Sequence, residues 1–533
     1  MRGAVVGGRK PDRSVAEIVA YGLLVGVISG LGAWGFRLVI GLVHNVLFEG
    51  RLDLAYDANS HTPLAPWGAG IVLVPVLGSF VVTFLTERFA REARGHGVPE
   101  VVDAIYYGGG VIRPVVAVVK ALASAVSIGS GGSVGREGPI VQIGATFGSM
   151  LGQRRTLSVT DRQLLIAAGS AGGIAATFNA PLGGVLFAVE LLLVRVNARS
   201  LLVVGVATGV GVAVANVLLG SNLAFSVLSL ETIASISVTP ADGALLLVVG
   251  VLTGGIATAF IFGLYWTESR FERGFGNRYA AHAAGMLIVG LVIYGFARWL
   301  GHYSVQGVGY ASITDILQGD QTAVGVLIAL LAGKLLVTEL TLGSGASGGV
   351  FSPSLFMGAA AGGALGHALA GAGVGTDPSL LAVAGMAGVV AGATGAVLTA
   401  VVMIGEMTGD FGATLPLILV AITANGVRTL VTPTTIYSEK LRRRGRWAPV
   451  GLQALAIDAV RARDLVDARR SPSELEHDAP RVGGNASLFE VTLALEEEGR
   501  GVVVTEGDAE IGVVTRESLA AAVRRLEGAS SLR

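Results

Sequence analysis

Two eleven-residue stretches hold the residue types best suited to chemistry. GSGGSVGREGP (129–139) and GSGASGGVFSP (343–353) are identical at six of eleven positions, at an offset of 214 residues from Gly129 to Gly343. Glycine-rich turns entering a helix aim unpaired backbone N–H groups, and the positive end of the helix dipole, at one point. Two such turns facing each other would make a neutral cage of donors. That cage attracts an anion without burying a counter-charge and its desolvation penalty. A cation site would want carboxylates or carbonyl oxygens pointing inward. The competing reading is that the glycines only allow helices to pack closely, as small residues do in membranes. Glu137 favours the cage, because an ionisable group in a spanning region is a functional candidate. Its carboxylate can fill the cage when ionised and leave it when protonated or displaced, which is a gate. Structural pairing with Arg136 is the alternative role.

The elements that position these stretches repeat with them. Gly144, Gly148 and Gly152 fall on Gly358, Gly362 and Gly366 at the same offset, and AGSAGG (168–173) answers AGMAG (384–388). Glu190 answers Glu406 at an offset of 216. A duplication accounts for this shared register. Apolar segments of spanning length recur at about 16–46, 67–90, 111–128, 161–194, 198–222, 241–267, 280–301, 322–342, 379–407 and 411–431, many broken by Gly or Pro. Basic clusters flank both ends: Arg2, Arg9, Lys10 and Arg13, then Lys440, Arg442, Arg443, Arg444 and Arg446. By the positive-inside rule both termini face the cytoplasm, which requires an even number of crossings. Two halves of opposite topology satisfy this and put a site at the bilayer midplane between them. Irregular backbone survives at that depth only when buried in protein or lining a cavity.

Composition agrees with a polytopic helical membrane protein. Of 533 residues, 52% are hydrophobic and only 14% charged, against roughly 25% in soluble domains. The charges concentrate at the end: residues 441–533 hold 29 of the 76, whereas 201–266 holds two, Glu231 and Asp242. Absence of cysteine excludes disulfide frameworks and thiolate metal sites. No HExxH pair or GxxxxGK[ST] loop occurs, Gly333-Lys334 being followed by Leu335. A net charge of zero gives a nucleic-acid partner no electrostatic support.

GSGGSVGREGP, GGVFSP (348–353), GHGVPE (95–100), FNAPLGG (178–184) and TIYSEKL around Tyr437 together resemble the CLC family of chloride channels and chloride/proton exchangers. The resemblance covers about residues 15–446, in the family's order and spacing. It implies an all-α inverted-repeat fold of tilted and broken helices, a homodimer with one anion pathway per subunit, and chloride as the transported ion, with no cofactor. It also implies an outer anion site from backbone amides near Gly135, Arg136 and Glu137. A central site would be formed by the amides of Val350 and Phe351 with the Tyr437 hydroxyl, and Glu137 would be the external gating glutamate.

Two positions depart from the family. His96 stands where most members have a serine whose hydroxyl reaches the central anion. An imidazole can donate one N–H, or hold the anion harder as a cation; alternatively it points away and only backbone coordinates. Leu191 occupies the place of the exchangers' proton-relay glutamate and cannot titrate. Glu190, like its repeat mate Glu406, is expected to pair structurally. These departures favour a channel-like or weakly coupled anion transporter over a proton-coupled antiporter. A membrane sensor with a vestigial pore is the rival from another class.

From residue 447 the composition is that of a soluble domain. GVVV (501–504) and IGVV (511–514) read as strands around a Gly507-Asp508 turn, with helices at about 487–498 and 516–527. That order resembles one CBS motif. Thr515 is followed by Ser518 rather than by the Asp of nucleotide-binding examples, which weakens the case for adenine nucleotide. The expected organisation is a cytoplasmic segment 1–14, a CLC-type membrane domain 15–446 with halves at about 15–230 and 240–446, and a CBS-like α/β cytoplasmic domain 447–533. The expected location is the cell (inner) membrane.

Overall fold

The computed structural model describes residues 13–220, 224–225 and 240–446, and in the tail 461–467, 472, 479–486, 491, 494–495, 501–507, 509–515 and 517–519. The chain divides into two compact units. The large one spans Met1–Leu193 and Asn197–Val450; the small one spans Gly451–Arg533 with Val194–Val196.

The large unit holds helices α1 (Val15–His44), α2 (Val74–Phe89), α3 (Val98–Tyr106), α4 (Val115–Gly129), α5 (Glu137–Arg154), α6 (Val159–Phe178), α7 (Pro181–Leu191) and α8 (Ala198–Leu219). It continues with α9 (Pro240–Gly274), α10 (Arg278–Leu300), α11 (Tyr310–Gln318), α12 (Val324–Ser344), α13 (Phe351–Gly371), α14 (Pro378–Thr394), α15 (Val397–Thr408), α16 (Thr414–Val431) and α17 (Ser438–Arg443). The first eight correspond one to one with the next eight, so the duplication is of whole helices. The packing repeats too: α1 lies on α8 and α5 on α6 in the first half, α9 on α16 and α13 on α14 in the second. The halves meet where α7 crosses α15 and where α2 packs on α10.

Among the described residues, seven helical stretches are long and apolar enough to cross a membrane, and the protein is a multi-pass membrane protein. Two apolar runs taken as single segments are broken. Residues 161–194 divide at Asn179, which caps α6 in the left-handed conformation (φ 55°), before Pro181 opens α7. Residues 379–407 divide in the same way at Gly395, between α14 and α15.

Helices α5 and α13 escaped hydropathy because they face protein rather than lipid. Their glycines allow near contact of backbones. A Cβ on Gly144 would stand 2.1 Å from the Gly169 carbonyl oxygen, and one on Gly358 would stand 2.2 Å from that of Gly385. The register read from the glycines is therefore a helix–helix seam, made once in each half.

In the small unit, strand β1 (Arg481–Gly483) pairs in parallel with β2 (Val502–Glu506), which pairs antiparallel with β3 (Ala509–Val514). Gly507 (φ +63°) makes the hairpin turn, while Asp508 lies outside the described residues. Val502, Val504 and Val514 pack with Leu465 and Val491 into a core. The helices expected at 487–498 and 516–527 fall largely outside the described residues. Thr515 and Ser518 satisfy one another: each hydroxyl oxygen accepts the other's backbone N–H, at 3.0 and 3.2 Å.

Candidate functional site

The two glycine-rich stretches meet. Gly135 N–H donates to the Gly349 carbonyl at 2.8 Å, and Gly349 N–H donates to the Gly135 carbonyl at 2.6 Å. These residues are repeat mates, so this reciprocal pair lies on the approximate two-fold axis. Around it the contacts come in mirrored sets. The Ser124 and Ser347 hydroxyls are 2.8 Å apart, and their mates Thr338 and Ser133 are 2.9 Å apart. Buried Lys120 donates to the carbonyls of Ala93 and Gly95, and buried Lys334 to those of Val305 and Gly307. Each lysine thus anchors the turn that leads into a short helix, α3 or α11. Both turns end on a glycine of positive φ, Gly97 (86°) and Gly309 (81°), which an L side chain rarely adopts.

Helices α5 and α13 begin at this junction. Neither has a side-chain cap: Arg136 and Val350 are their N-cap residues and provide no capping bond. The first amides of both helices therefore point into the junction. The Gly135 amide does not join them, contrary to expectation, because the inter-repeat bridge uses it. Pairing the two loops requires that bond, leaving Arg136 and Glu137 on that lip.

The Glu137 carboxylate occupies the start of α13. Its Oε1 accepts the Ser352 N–H at 3.1 Å and also the Ser352 hydroxyl, while its Oε2 is buried without a hydrogen bond. Since the Ser352 proton goes to Glu137, the Tyr310 hydroxyl, 3.0 Å away, donates to Ser352 Oγ. Arg136 makes no ion pair with Glu137. Its guanidinium lies over the Tyr310 ring, 5.2 Å from the centroid, and reaches the Thr177 carbonyl. Phe351, first in α13, packs its ring 5.4 Å from that of Phe178.

A third loop closes the junction. A Cβ on Gly138 would stand 2.0 Å from the His96 carbonyl oxygen, so only glycine lets this backbone approach. The buried His96 ring lies 5.7 Å from that of Tyr437. Its Nε2 is 3.2 Å from the Tyr265 hydroxyl, which donates to the Ile436 carbonyl at 2.5 Å. The Tyr265 proton being so used, His96 Nε2–H donates to the Tyr265 oxygen. The N–H expected to reach an anion is therefore committed to α9. What remains is Nδ1, buried and without a partner, which in the neutral ring is a lone pair. This imidazole can hold an anion only after Nδ1 takes up a proton.

Glu190 and Glu406 are reciprocal helix caps. Glu190 accepts the Leu398 and Thr399 N–H groups and the Thr399 hydroxyl at the start of α15. Glu406 accepts the Leu182 and Gly183 N–H groups at the start of α7. Both carboxylates are thereby occupied at helix N-termini, where negative charge is stabilised. Leu191 ends α7 and is buried. At the C-terminal end of the unit's chain, the basic run is paired: Lys440 with Glu268, Arg442 and Arg443 with Glu439, Arg444 with Glu100 and Arg446 with Asp103.

Ser352, Tyr310, Tyr265, Lys120 and Lys334 also build the site, although the sequence motifs do not single them out. The two lysines carried a usable signal, since they are charges inside apolar helices at the repeat offset of 214. Ser352 sits in the repeated stretch itself, opposite Gly138. Nothing local marks Tyr265 or Tyr310.

Comparison with known proteins gives a consistent result. The family model described as "Voltage gated chloride channel" matches residues 78–429. The chain is 32% identical over 456 residues to an H(+)/Cl(-) exchange transporter ClcA of Vibrio cholerae, covering 81% of this chain and 90% of that protein. It is 30% identical over 445 residues to the ClcA exchanger of Klebsiella pneumoniae, again over 81% and 90%. In fold it resembles a slow cyanobacterial Cl−/H+ antiporter, with TM-score 0.69 and 23% identity, over 80% of this chain and 97% of that one. A CLC-type fluoride/proton antiporter aligns with TM-score 0.63 and 22% identity, over 79% and 97%.

Proposed function

The chain belongs to the voltage-gated chloride channel family, the CLC family, and on that footing we propose that it carries chloride across the membrane through a pathway gated by Glu137. The carrying observation is that a buried carboxylate sits at the start of α13, on the Ser352 N–H and hydroxyl. A carboxylate seated on such donors marks where a small anion would sit once Glu137 has left. Chloride needs that kind of environment, with amide and hydroxyl hydrogens aimed at it. The nearby cations Arg136 and Lys334 are held by the Tyr310 ring and by backbone carbonyls rather than paired with the carboxylate. Arg136, Glu137, Val350 and Phe351 supply amides at two helix starts, and Tyr437 and His96 line the next part of the path. The reaction is translocation, with no covalent step.

Transport is channel-like or weakly proton-coupled. Leu191 offers no proton, and the adjacent Glu190 is held by three donors on α15. Protonating Glu137 neutralises the carboxylate and weakens its hold on the donors, so flux should rise as pH falls. The second reading is a coupled antiporter, the activity named for the ClcA relatives. It would need a proton carrier in place of Leu191, and the unpartnered His96 Nδ1 is the candidate beside the path. The protein works as a homodimer with both termini cytoplasmic, and the small unit serves as a CBS-like cap.

The test is chloride efflux from liposomes holding the full-length protein, with proton movement recorded in parallel. Glu137→Gln should raise efflux and flatten its pH dependence. Unchanged flux and an unchanged pH profile would remove Glu137 from the gate. Coupled pumping against a gradient would select the antiporter, and no flux under any condition would leave the sensor.

A further inference from the structure

Three metal-type ligands converge outside the anion path. His61 lies in the turn between α1 and α2, His302 follows Gly301 at the end of α10, and Asp315 is on the second turn of α11. His61 Nε2 is 2.6 Å from Asp315 Oδ2, and the His61 and His302 ring centroids are 3.8 Å apart. One ligand atom from each of the three lies within 4.8 Å of the other two. All three side chains are half-buried, so solvent reaches them. The Ser304 hydroxyl, 2.9 Å from His302 Nδ1, orients that ring and leaves Nε2 free, as an outer-shell partner does for a ligating imidazole.

We propose that His61, His302 and Asp315 form a site for a divalent transition metal of the zinc class, and that its occupation clamps α11. Two imidazoles and one carboxylate suit zinc and disfavour calcium or magnesium, which take all-oxygen shells. Ligands about 2.0–2.2 Å from a tetrahedral ion stand roughly 3.3–3.6 Å apart. That spacing falls between the 2.6 Å His61–Asp315 contact and the 4.8 Å limit of the cluster, so only small movements close it. The ion replaces the proton shared by His61 and Asp315, and water completes the fourth position.

The site is tied to the start of α13 through α11. That helix begins at Tyr310, whose hydroxyl donates to Ser352, the residue that holds Glu137. The segment between His302 and Tyr310 is already anchored to the 61–65 turn. Tyr303 Oη accepts the Ala65 N–H at 3.0 Å, and Gln306 Nε2 donates to Thr62 Oγ1 at 2.9 Å. A metal would add a bond of much greater strength to this network. With α11 fixed, Tyr310 stays on Ser352 and Glu137 stays seated, so anion flux slows. This last step rests on the gating reading given above; the binding step does not.

The experiment titrates zinc into chelator-treated full-length protein, following zinc bound per chain and thermal stability. Wild type should bind about one equivalent and gain stability. His302→Ala and Asp315→Asn should each bind at least about tenfold more weakly, since loss of even an outer-shell partner costs about 10–100-fold. No zinc bound by wild type, or equal binding by both variants, overturns the site. Zinc added outside liposomes should then slow wild-type chloride efflux and leave His302→Ala unaffected. Bound zinc without slowing, or equal slowing of the variant, overturns the clamp. A preparation that passes no chloride at all would refute the transport reading, while zinc stoichiometry and stability would still decide the site.

Discussion

Removing the Ser352 hydroxyl isolates the force that seats Glu137. In Ser352→Ala the backbone N–H remains at 3.1 Å from Oε1, but the hydroxyl bond is gone. Hydrogen bonds to a charged group contribute about 1.5–3 kcal/mol, and both partners are buried, so solvent screening does little to reduce this. At about 1.4 kcal/mol per decade, the seated state should lose roughly ten- to hundredfold in population relative to the displaced one. Initial chloride efflux from liposomes should rise accordingly until another step limits it. Tyr310→Phe should act in the same direction but less, because Ser352 keeps its own proton for Glu137. In a Glu137→Gln background, Ser352→Ala should add little, since the two residues act in one network. Efflux unchanged by Ser352→Ala alone, in protein that does respond to Glu137→Gln, would refute the view that this hydroxyl holds the gate.

Three further outcomes are expected. His96→Ser should change anion selectivity or the pH dependence of efflux, and Tyr265→Phe should disturb the same property by removing the acceptor for Nε2–H. If neither variant differs from wild type in reversal potential or pH profile, His96 has no part in the pathway. Leu191→Glu should increase proton movement accompanying chloride, measured as alkalinisation or acidification of a weakly buffered exterior. Glu406→Gln should lower thermal stability in detergent by about 1.5–3 kcal/mol for each charge-assisted bond lost at the start of α7, with Glu190→Gln behaving alike at α15.

The repeat was legible because close backbone contact dictates residue type. GSGGSVGREGP and GSGASGGVFSP have to bring backbones together, and Gly144 and Gly358 leave no room for a Cβ, so both copies need small residues at the same spacing. Hydropathy was a poorer guide. It registers lipid-facing surface, and α5 and α13 bury most of their surface in protein, so neither was marked as a segment. It also merged α6 with α7 although Asn179 and Pro181 stood in the motif already singled out. Pairings across the halves were beyond reach. That Glu190 caps α15 while Glu406 caps α7 follows only from the crossing of α7 with α15, and no local pattern encodes a partner more than two hundred positions away. His96 shows the same limit: its residue type suggested a donor, but Tyr265 decides which nitrogen is free.

The pairing of Gly135 with Gly349 has a consequence for direction. A body assembled from two like halves, turned head to tail, presents the same face to either compartment and has no reason to favour one. Sidedness must enter where counterparts have diverged. Arg136-Glu137 faces Val350-Phe351 across that glycine pair, so one lip bears ions and the other carbon. Part of the asymmetry of the whole machine lies in that dipeptide, with more in the unpaired α17 beside Tyr437 and in His96 against its counterpart Val308. Exchanging the two dipeptides would show how far its front and back can be reversed.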